Sequence, residues 1–196
     1  MNDFIYKLNL PSIENIVDQL KFSMLVESLS NYSSYHKVVP SSSIIKSEWL
    51  TLQGIEFDSL SIFVKNNVRG IIHSDDRERL KDITECPVWA INWIYNGKCT
   101  LEFWEKNNIL GTFSDLDTVG YYHTLCHSNK SPNKIYHLED CSPYLVNASI
   151  PHRATGIGHR YTFSLRPTQF NLTWPQVVNN FKDLIWSGVG ESNSSL

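Results

Sequence analysis

Seven histidines are spread along the chain, and one stands two residues ahead of a carboxylate at the close of an apolar run: His73-Ser74-Asp75, after Gly70-Ile71-Ile72. In an extended strand, residues i and i+2 point to the same side, so an imidazole and a carboxylate emerge there together. A second imidazole, His152 in Ile150-Pro151-His152, lies far along the chain beyond at least three predicted strands. If the sheet folds back on itself, His152 returns beside the first two. Two imidazoles and one carboxylate on one face, with other coordination positions open, form the donor set typical of non-haem Fe(II) oxygenases. Chance supplies about one His-x-Asp/Glu pair in a chain with this many histidines and acids, and His137-Leu138-Glu139 is a second such pair.

The segment after His152 separates the two. Arg160 opens the strand-like run Arg160-Tyr161-Thr162-Phe163-Ser164-Leu165-Arg166. Alternation puts Arg160, Thr162, Ser164 and Arg166 on one face and Tyr161, Phe163 and Leu165 on the other. A cationic, hydroxyl-lined face near a metal suits an anionic co-substrate, because a guanidinium forks onto a carboxylate and a hydroxyl adds a hydrogen bond. Asn92 is the one polar residue within Val88-Trp89-Ala90-Ile91-Asn92-Trp93-Ile94. It shares a face with Val88, Ala90 and Ile94, and a buried amide there needs partners.

The elements that must position these residues are mostly short strands. Residues 60–64, 68–73, 87–95, 100–104, 143–150 and 160–166 are β-branched and aromatic. Turn signals at Asn66-Asn67, Asn96-Gly97 and Gly156/Gly158 separate them. Strands this close, with few helix-length segments between them, favour an antiparallel barrel or sandwich over an α/β fold. Apolar residues at helical spacing predict an amphipathic helix over 12–29, and Thr173 as N-cap with Pro175 in the first turn predicts a final helix over 174–186. Residues 105–134 are polar and irregular and read as an insertion or lid. The expected organisation is a helical bracing segment over 1–58, a β core over 59–170, a C-terminal helix within 171–188 and a flexible tail over 189–196.

Composition narrows the function classes. The chain has 196 residues, 17 Lys+Arg against 20 Asp+Glu, and a 41% hydrophobic fraction, which excludes a disordered chain. A net charge of −3 gives no general attraction to a nucleic-acid backbone. No stretch is long and apolar enough for a membrane span, and the start lacks the apolar core of a secretory signal. Cys86, Cys99, Cys126 and Cys141 are never spaced as a zinc or redox CxxC motif, so free thiols in the cytoplasm are expected.

Taken in order, His73-Ser74-Asp75, Ala90-Ile91-Asn92-Trp93, Phe103-Trp104-Glu105, Tyr144-Leu145-Val146-Asn147, Ile150-Pro151-His152-Arg153 and Arg160 with Ser164-Leu165-Arg166 resemble the Fe(II)- and 2-oxoglutarate-dependent oxygenase superfamily. The likeness is greatest to its small bacterial and phage-type hydroxylases related to the aspartyl/asparaginyl β-hydroxylases. It covers about residues 60–167. It implies a mainly β (α+β) fold, a double-stranded β-helix or jelly-roll/cupin-like barrel with flanking helices. It further implies that His73, Asp75 and His152 bind Fe(II), while Arg160 holds the distal carboxylate of 2-oxoglutarate. Thr162 then supplies the hydroxyl of an Arg-x-Ser/Thr pattern, with Ser164 the alternative, and Arg166 shares the face and serves if Arg160 does not. Asn92 either touches the co-substrate or a metal-bound water, or bonds structurally. The implied reaction consumes O2, converts 2-oxoglutarate to succinate and CO2, and hydroxylates a C–H bond of a peptide, amino acid or small metabolite. Asp75 argues against the related halogenases, which lack that carboxylate.

Two other readings stand beside it: a cupin-type metalloenzyme that does not use 2-oxoglutarate, disfavoured by the lack of a His-x-His pair, and a non-enzymatic β-barrel binding or assembly module. His123 and His127, four apart in the irregular segment, lack two further nameable ligands for zinc and read better as substrate or lid contacts. Trp89, Trp93 and Trp104 read as core. Arg69, Arg77, Arg79 and Lys81 are largely offset by Asp75, Asp76, Glu78 and Asp82 and read as solvated surface. Substrate identity and oligomeric state are not legible.

Overall fold

The computed structural model describes residues 4–66, 70–76, 88–116, 122–139, 141–168 and 171–187. In chain order the elements are β1 (Ile5–Lys7), α1 (Ile13–Ile16), α2 (Gln19–Leu29), β2 (Ser34–Pro40), β3 (Thr51–Leu52), β4 (Ile55–Asn66), β5 (His73–Asp76), β6 (Trp89–Tyr95) and β7 (Lys98–Phe103). They continue with β8 (Gly111–Leu116), β9 (Tyr122–His127), β10 (Lys134–Leu138), β11 (Pro143–Asn147), β12 (His152–Ile157), β13 (His159–Pro167) and α3 (Trp174–Asn180).

The strands form two antiparallel sheets, ordered β1-β11-β6-β13-β4-β2, with β3 attached to β4, and β10-β7-β12-β5-β9-β8. Among the described residues neither sheet closes on itself. From β4 onward the chain crosses repeatedly between them: β4, β6, β11 and β13 lie in the first sheet, and β5, β7 and β12 in the second. The crossings at β6–β7 and β12–β13 are tight, with Asn96 at φ 58° and Gly158 at φ 83°. Both residues occupy the left-handed region, where Gly and Asn are the favoured occupants.

Each strand of the first sheet has two working faces. One carries Leu60, Ile62, Val64, Trp89, Ile91, Trp93, Tyr161, Phe163 and Leu165, packed under Ile13, Ile16, Val17, Phe22, Trp174, Val177 and Phe181. Burying side chains of this size stabilises by roughly 1.5–3 kcal/mol each, so the helices and N-terminal segment seal that face. The other face looks toward the second sheet. There Ile5, Ile94, Tyr144 and Val146 meet Cys99, Leu101, Phe103 and Leu138. Trp89, Trp93 and Trp104 are fully buried, and Trp93 donates from Nε1 to the Pro11 carbonyl at 3.0 Å.

Four sequence expectations differ locally. The helix expected over 12–29 is broken at Val17, which is extended (φ −104°, ψ 158°) and bridges Ile45. Asp18 then restarts the helix as N-cap, accepting from the Lys21 N–H at 3.1 Å. The final helix stops at Asn180 and continues as a short 3-10 turn, Lys182–Leu184. Residues 105–134 contain the hairpin β8–β9, which pairs with β5 and extends the second sheet. The N-terminal segment supplies strands as well as helices: β1 pairs with β11, and β2 with β4. The expected tail over 189–196 lies outside the described residues.

Candidate metal and anion site

His73 begins β5, and its backbone partner on the neighbouring strand β12 is His152. Residues 73 and 152, remote in sequence, are thus held opposite each other by strand register, with ring centroids 4.4 Å apart. Asp75, two residues along β5, shares the face of His73, and its Oδ1 lies 3.8 Å from His73 Nε2. Its backbone N–H donates to the Ala148 carbonyl at 2.8 Å, which fixes the strand end. The three residues singled out as metal ligands are therefore brought together.

The two imidazoles are also oriented alike. His73 Nδ1 lies 3.0 Å from the Ile71 carbonyl, and His152 Nδ1 lies 2.8 Å from the Ile150 carbonyl. A carbonyl oxygen only accepts, so each Nδ1 carries the proton and each Nε2 presents a lone pair, as metal-binding histidines require. His152 is buried against Phe103, 5.9 Å away between ring centroids. Burial, reinforced by the neighbouring His73 and opposed by Asp75, lowers its pKa to about 4. At neutral pH it is the uncharged imidazole.

Arg166 completes this end of the interior. It reaches across from β13, and its Nη2 donates to Asp75 Oδ2 at 2.7 Å, with both side chains about 5% exposed or less. As the side chains stand, no group of three His, Cys, Asp or Glu among the described residues is arranged to hold a metal ion. The donor chemistry nonetheless fits one: two locked Nε2 lone pairs and a carboxylate whose Oδ1 faces the imidazoles while Oδ2 is tied to a guanidinium.

The remaining site residues lie along the same face of β13. Ser164 is the register partner of Asn92 on β6 and of Ser61 on β4, and Thr162 that of Ile94 and Phe63. Asn92 Oδ1 and Ser61 Oγ are buried with no hydrogen-bond partner among the described residues. Asn92, Thr162 and Phe63 are only partly buried although they face the other sheet, so the space between the sheets is not filled there. Arg160 stands at the far end of the strand, six residues or about 20 Å from Arg166. It is 2% exposed, and its Nε and Nη1 find no hydrogen-bond partner among the described residues. Arg160 and Arg166 thus serve opposite ends of the interior.

Lys65 was not among the residues singled out by sequence. It is the register partner of Arg160 on β4, and desolvation followed by the Arg160 charge lowers its pKa. The alternation Ser59-x-Ser61, resumed at Lys65 after the apolar Phe63, was the signal available. His137 and Glu139 serve elsewhere: His137 lies against Thr100, and Glu139 pairs with Lys7. His123 is the backbone partner of Asp75 on β9, but its side chain lies outside the described residues, as do Arg69, Arg77, Arg79, Lys81, Glu78, Asp82 and Cys86. Cys99, Cys126 and Cys141 are free thiols, and among the described residues no helix is long and apolar enough to cross a membrane.

No protein-family model matches the sequence, and no curated protein matches it. Among solved structures the chain is similar to three of YcfD from Escherichia coli, two of them described as a ribosomal oxygenase. The first is 13% identical with a TM-score of 0.39, covering 65% of this chain and 29% of that one. The second is 11% identical with a TM-score of 0.37, covering 65% and 27%. The third is 9% identical with a TM-score of 0.39, covering 93% and 54%. The chain thus spans about a quarter to a half of the YcfD chains, and likenesses this shallow carry no functional argument.

Proposed function

We propose that the protein is an Fe(II)- and 2-oxoglutarate-dependent oxygenase that hydroxylates a C–H bond of a small metabolite, amino acid or peptide. The observation that carries this reading is the strand register that sets His152 against His73, with Asp75 Oδ1 3.8 Å from His73 Nε2. The alternation of the chain between two sheets supports a double-stranded β-helix as the scaffold, with the β core of residues 59–170 as the catalytic unit.

Each residue has a defined task. His73 and His152 offer Nε2 lone pairs, and Asp75 offers Oδ1, for one Fe(II). Arg166 holds Oδ2, which orients the carboxylate and limits it to one oxygen toward the cation. Burial keeps His152 unprotonated, so no proton must leave before it binds metal. Arg160 receives the distal carboxylate of 2-oxoglutarate in the interior, since its Nε and Nη1 are buried and without partners among the described residues. Arg166, already engaged by Asp75, is the weaker candidate for that role. Thr162 and Ser164, on the same face, add hydroxyls along the path between the two ends, and Asn92 adds an amide. When bound, the metal and 2-oxoglutarate supply the oxidising chemistry; the protein contributes ligand geometry, a dry interior and position.

The test is turnover. Full-length protein given Fe(II), 2-oxoglutarate and O2 is expected to release succinate, and Asp75→Ala is expected to abolish it. Wild-type succinate release from Asp75→Ala would remove Asp75 from the ligand set. A cation bound at His73 and His152 with no effect of 2-oxoglutarate on it would instead favour a metalloenzyme of another kind.

A further inference from the structure

The two imidazoles sit on strands that are joined unequally. β12 pairs with β7 along its whole length, from His152 opposite Phe103 to Ile157 opposite Lys98. Its registered pairing with β5, among the described residues, is His152 with His73 alone. One pair of residues does not fix the separation of two rings, so that separation depends on what holds β5 and β12 from behind.

Alternation turns the neighbours of the two histidines, Ile72 and Arg153, to the face away from the imidazoles. There they are joined through one indole. Arg153 lies over the Trp104 ring, 5.0 Å from its centroid, and Ile72, Trp104 and Cys126 pack together as a buried cluster. Trp104 is itself pinned: its backbone N–H donates to the Pro151 carbonyl at 2.9 Å, and Nε1 to the Lys130 carbonyl at 3.0 Å. Arg153 Nε donates to Oε2 of Glu102, its register partner on β7, at 2.6 Å, and Nη2 reaches the same oxygen. The chain entering β5 is pressed against this assembly as well. The Gly70 N–H donates to the Ala154 carbonyl at 2.9 Å, and a Cβ at Gly70 would lie 2.8 Å from that oxygen and 3.5 Å from Arg153 Cγ.

The side chains of Arg153 and Glu102 are only 10% and 15% exposed. A desolvated ion pair gives little net stability over apolar side chains of the same size; what this one adds is geometry, because a planar guanidinium is held at once by a carboxylate and an indole face. We infer that Arg153, braced by Glu102 and Trp104, is a positioning residue that sets the spacing of His73 and His152 from the face behind them. It rests on the proposed function only in taking those histidines as metal ligands. Arg153 does not touch the cation; it acts through β12 on His152 and through Trp104 and Ile72 on His73.

The probes are Mn(II), titrated into the full-length protein and followed by electron paramagnetic resonance, and Co(II), whose visible absorption reports coordination geometry. Arg153→Met is expected to weaken Mn(II) binding about tenfold, the lower end of what loss of a ligand-orienting group costs, and to shift the Co(II) spectrum. Arg153→Lys keeps a charge for Glu102 but has no planar fork to lay on Trp104, so it is expected to lose about threefold and to shift the spectrum less. Glu139→Gln, which breaks the Lys7 ion pair, is the control and is expected to change neither. A merely stabilising role would lower the melting temperature of the Arg153 variants and leave the affinity and spectrum of the folded protein as in wild type. Wild-type affinity and spectrum in both Arg153 variants, or an equal loss in Glu139→Gln, overturns the positioning role while the metal site stands. No Mn(II) binding by wild type removes the metal site, and the positioning role with it.

Discussion

Arg166 and Asp75 form a buried ion pair, and replacing Arg166 with Met measures what it does. The methionine keeps most of the buried volume and removes the charge. The side chains are 4% and 5% exposed and joined at 2.7 Å, so Asp75 would be left as a buried carboxylate without its guanidinium. Removing one member of a buried ion pair costs about 3–5 kcal/mol, because the stranded charge has lost both water and partner. For a chain of this size each kcal/mol moves the melting temperature by about 2–4 °C, so Arg166→Met should melt on the order of 10 °C lower. Adding Asp75→Asn to Arg166→Met removes the stranded charge and should recover most of the loss, giving strong non-additivity in a double-mutant cycle. Saturating Mn(II) should raise the melting temperature of Arg166→Met more than that of wild type, since the cation then replaces the missing guanidinium. Thermal scanning and urea unfolding of the four proteins read all of these effects. An Arg166→Met variant within about 1 kcal/mol of wild type would mean that the pair is not coupled as described.

Two further outcomes follow from the same geometry. The folded-state pKa of His152 lies at about 4, below its ordinary 6.5, so the unfolded chain binds a proton there first as pH falls. Its contribution is intact above pH 6.5 and is lost progressively down to about pH 4, on the order of 3 kcal/mol. Urea unfolding of wild type and His152→Asn across that range should show the wild type losing the larger share, and parallel curves would contradict the assignment. Gly156→Ala places a methyl group against Arg160 Nη1 and the Lys98 carbonyl; overpacking of this kind costs about 1–3 kcal/mol, read by urea unfolding. An alanine variant as stable as wild type would show that the backbone is not closed around Arg160.

The convergence of His73, Asp75 and His152 was legible in part because strand alternation is a strict rule. His73 and Asp75 had to share a face, and the β-branched runs announced strands that could carry His152 back to them. The sequence also exposed the polar face of β13, Arg160 to Arg166. It did not show which arginine met what, since that depends on how two sheets stack and on which side chain crosses between them. Arg166 turned out to bond Asp75, while Arg160 entered a slot made by glycines on another sheet. Lys65 was missed because a lysine at a strand end reads as solvated until its register partner is known. The β8–β9 hairpin was missed because Gly111-Thr112-Phe113-Ser114-Asp115-Leu116 has little apolar alternation, and its pairing with β5 is tertiary. The break at Val17 likewise reflects a bridge to Ile45 overriding local helical periodicity.

The whole reading depends on His73, Asp75 and His152 closing on one divalent cation. Titration of Mn(II) into the metal-free protein, followed by electron paramagnetic resonance, tests it without knowledge of the substrate. One Mn(II) per chain is expected to leave the free-ion signal in wild type and to remain free in His152→Ala. Stoichiometric binding that persists in His152→Ala, or none in wild type, would contradict the metal site and the oxygenase built on it.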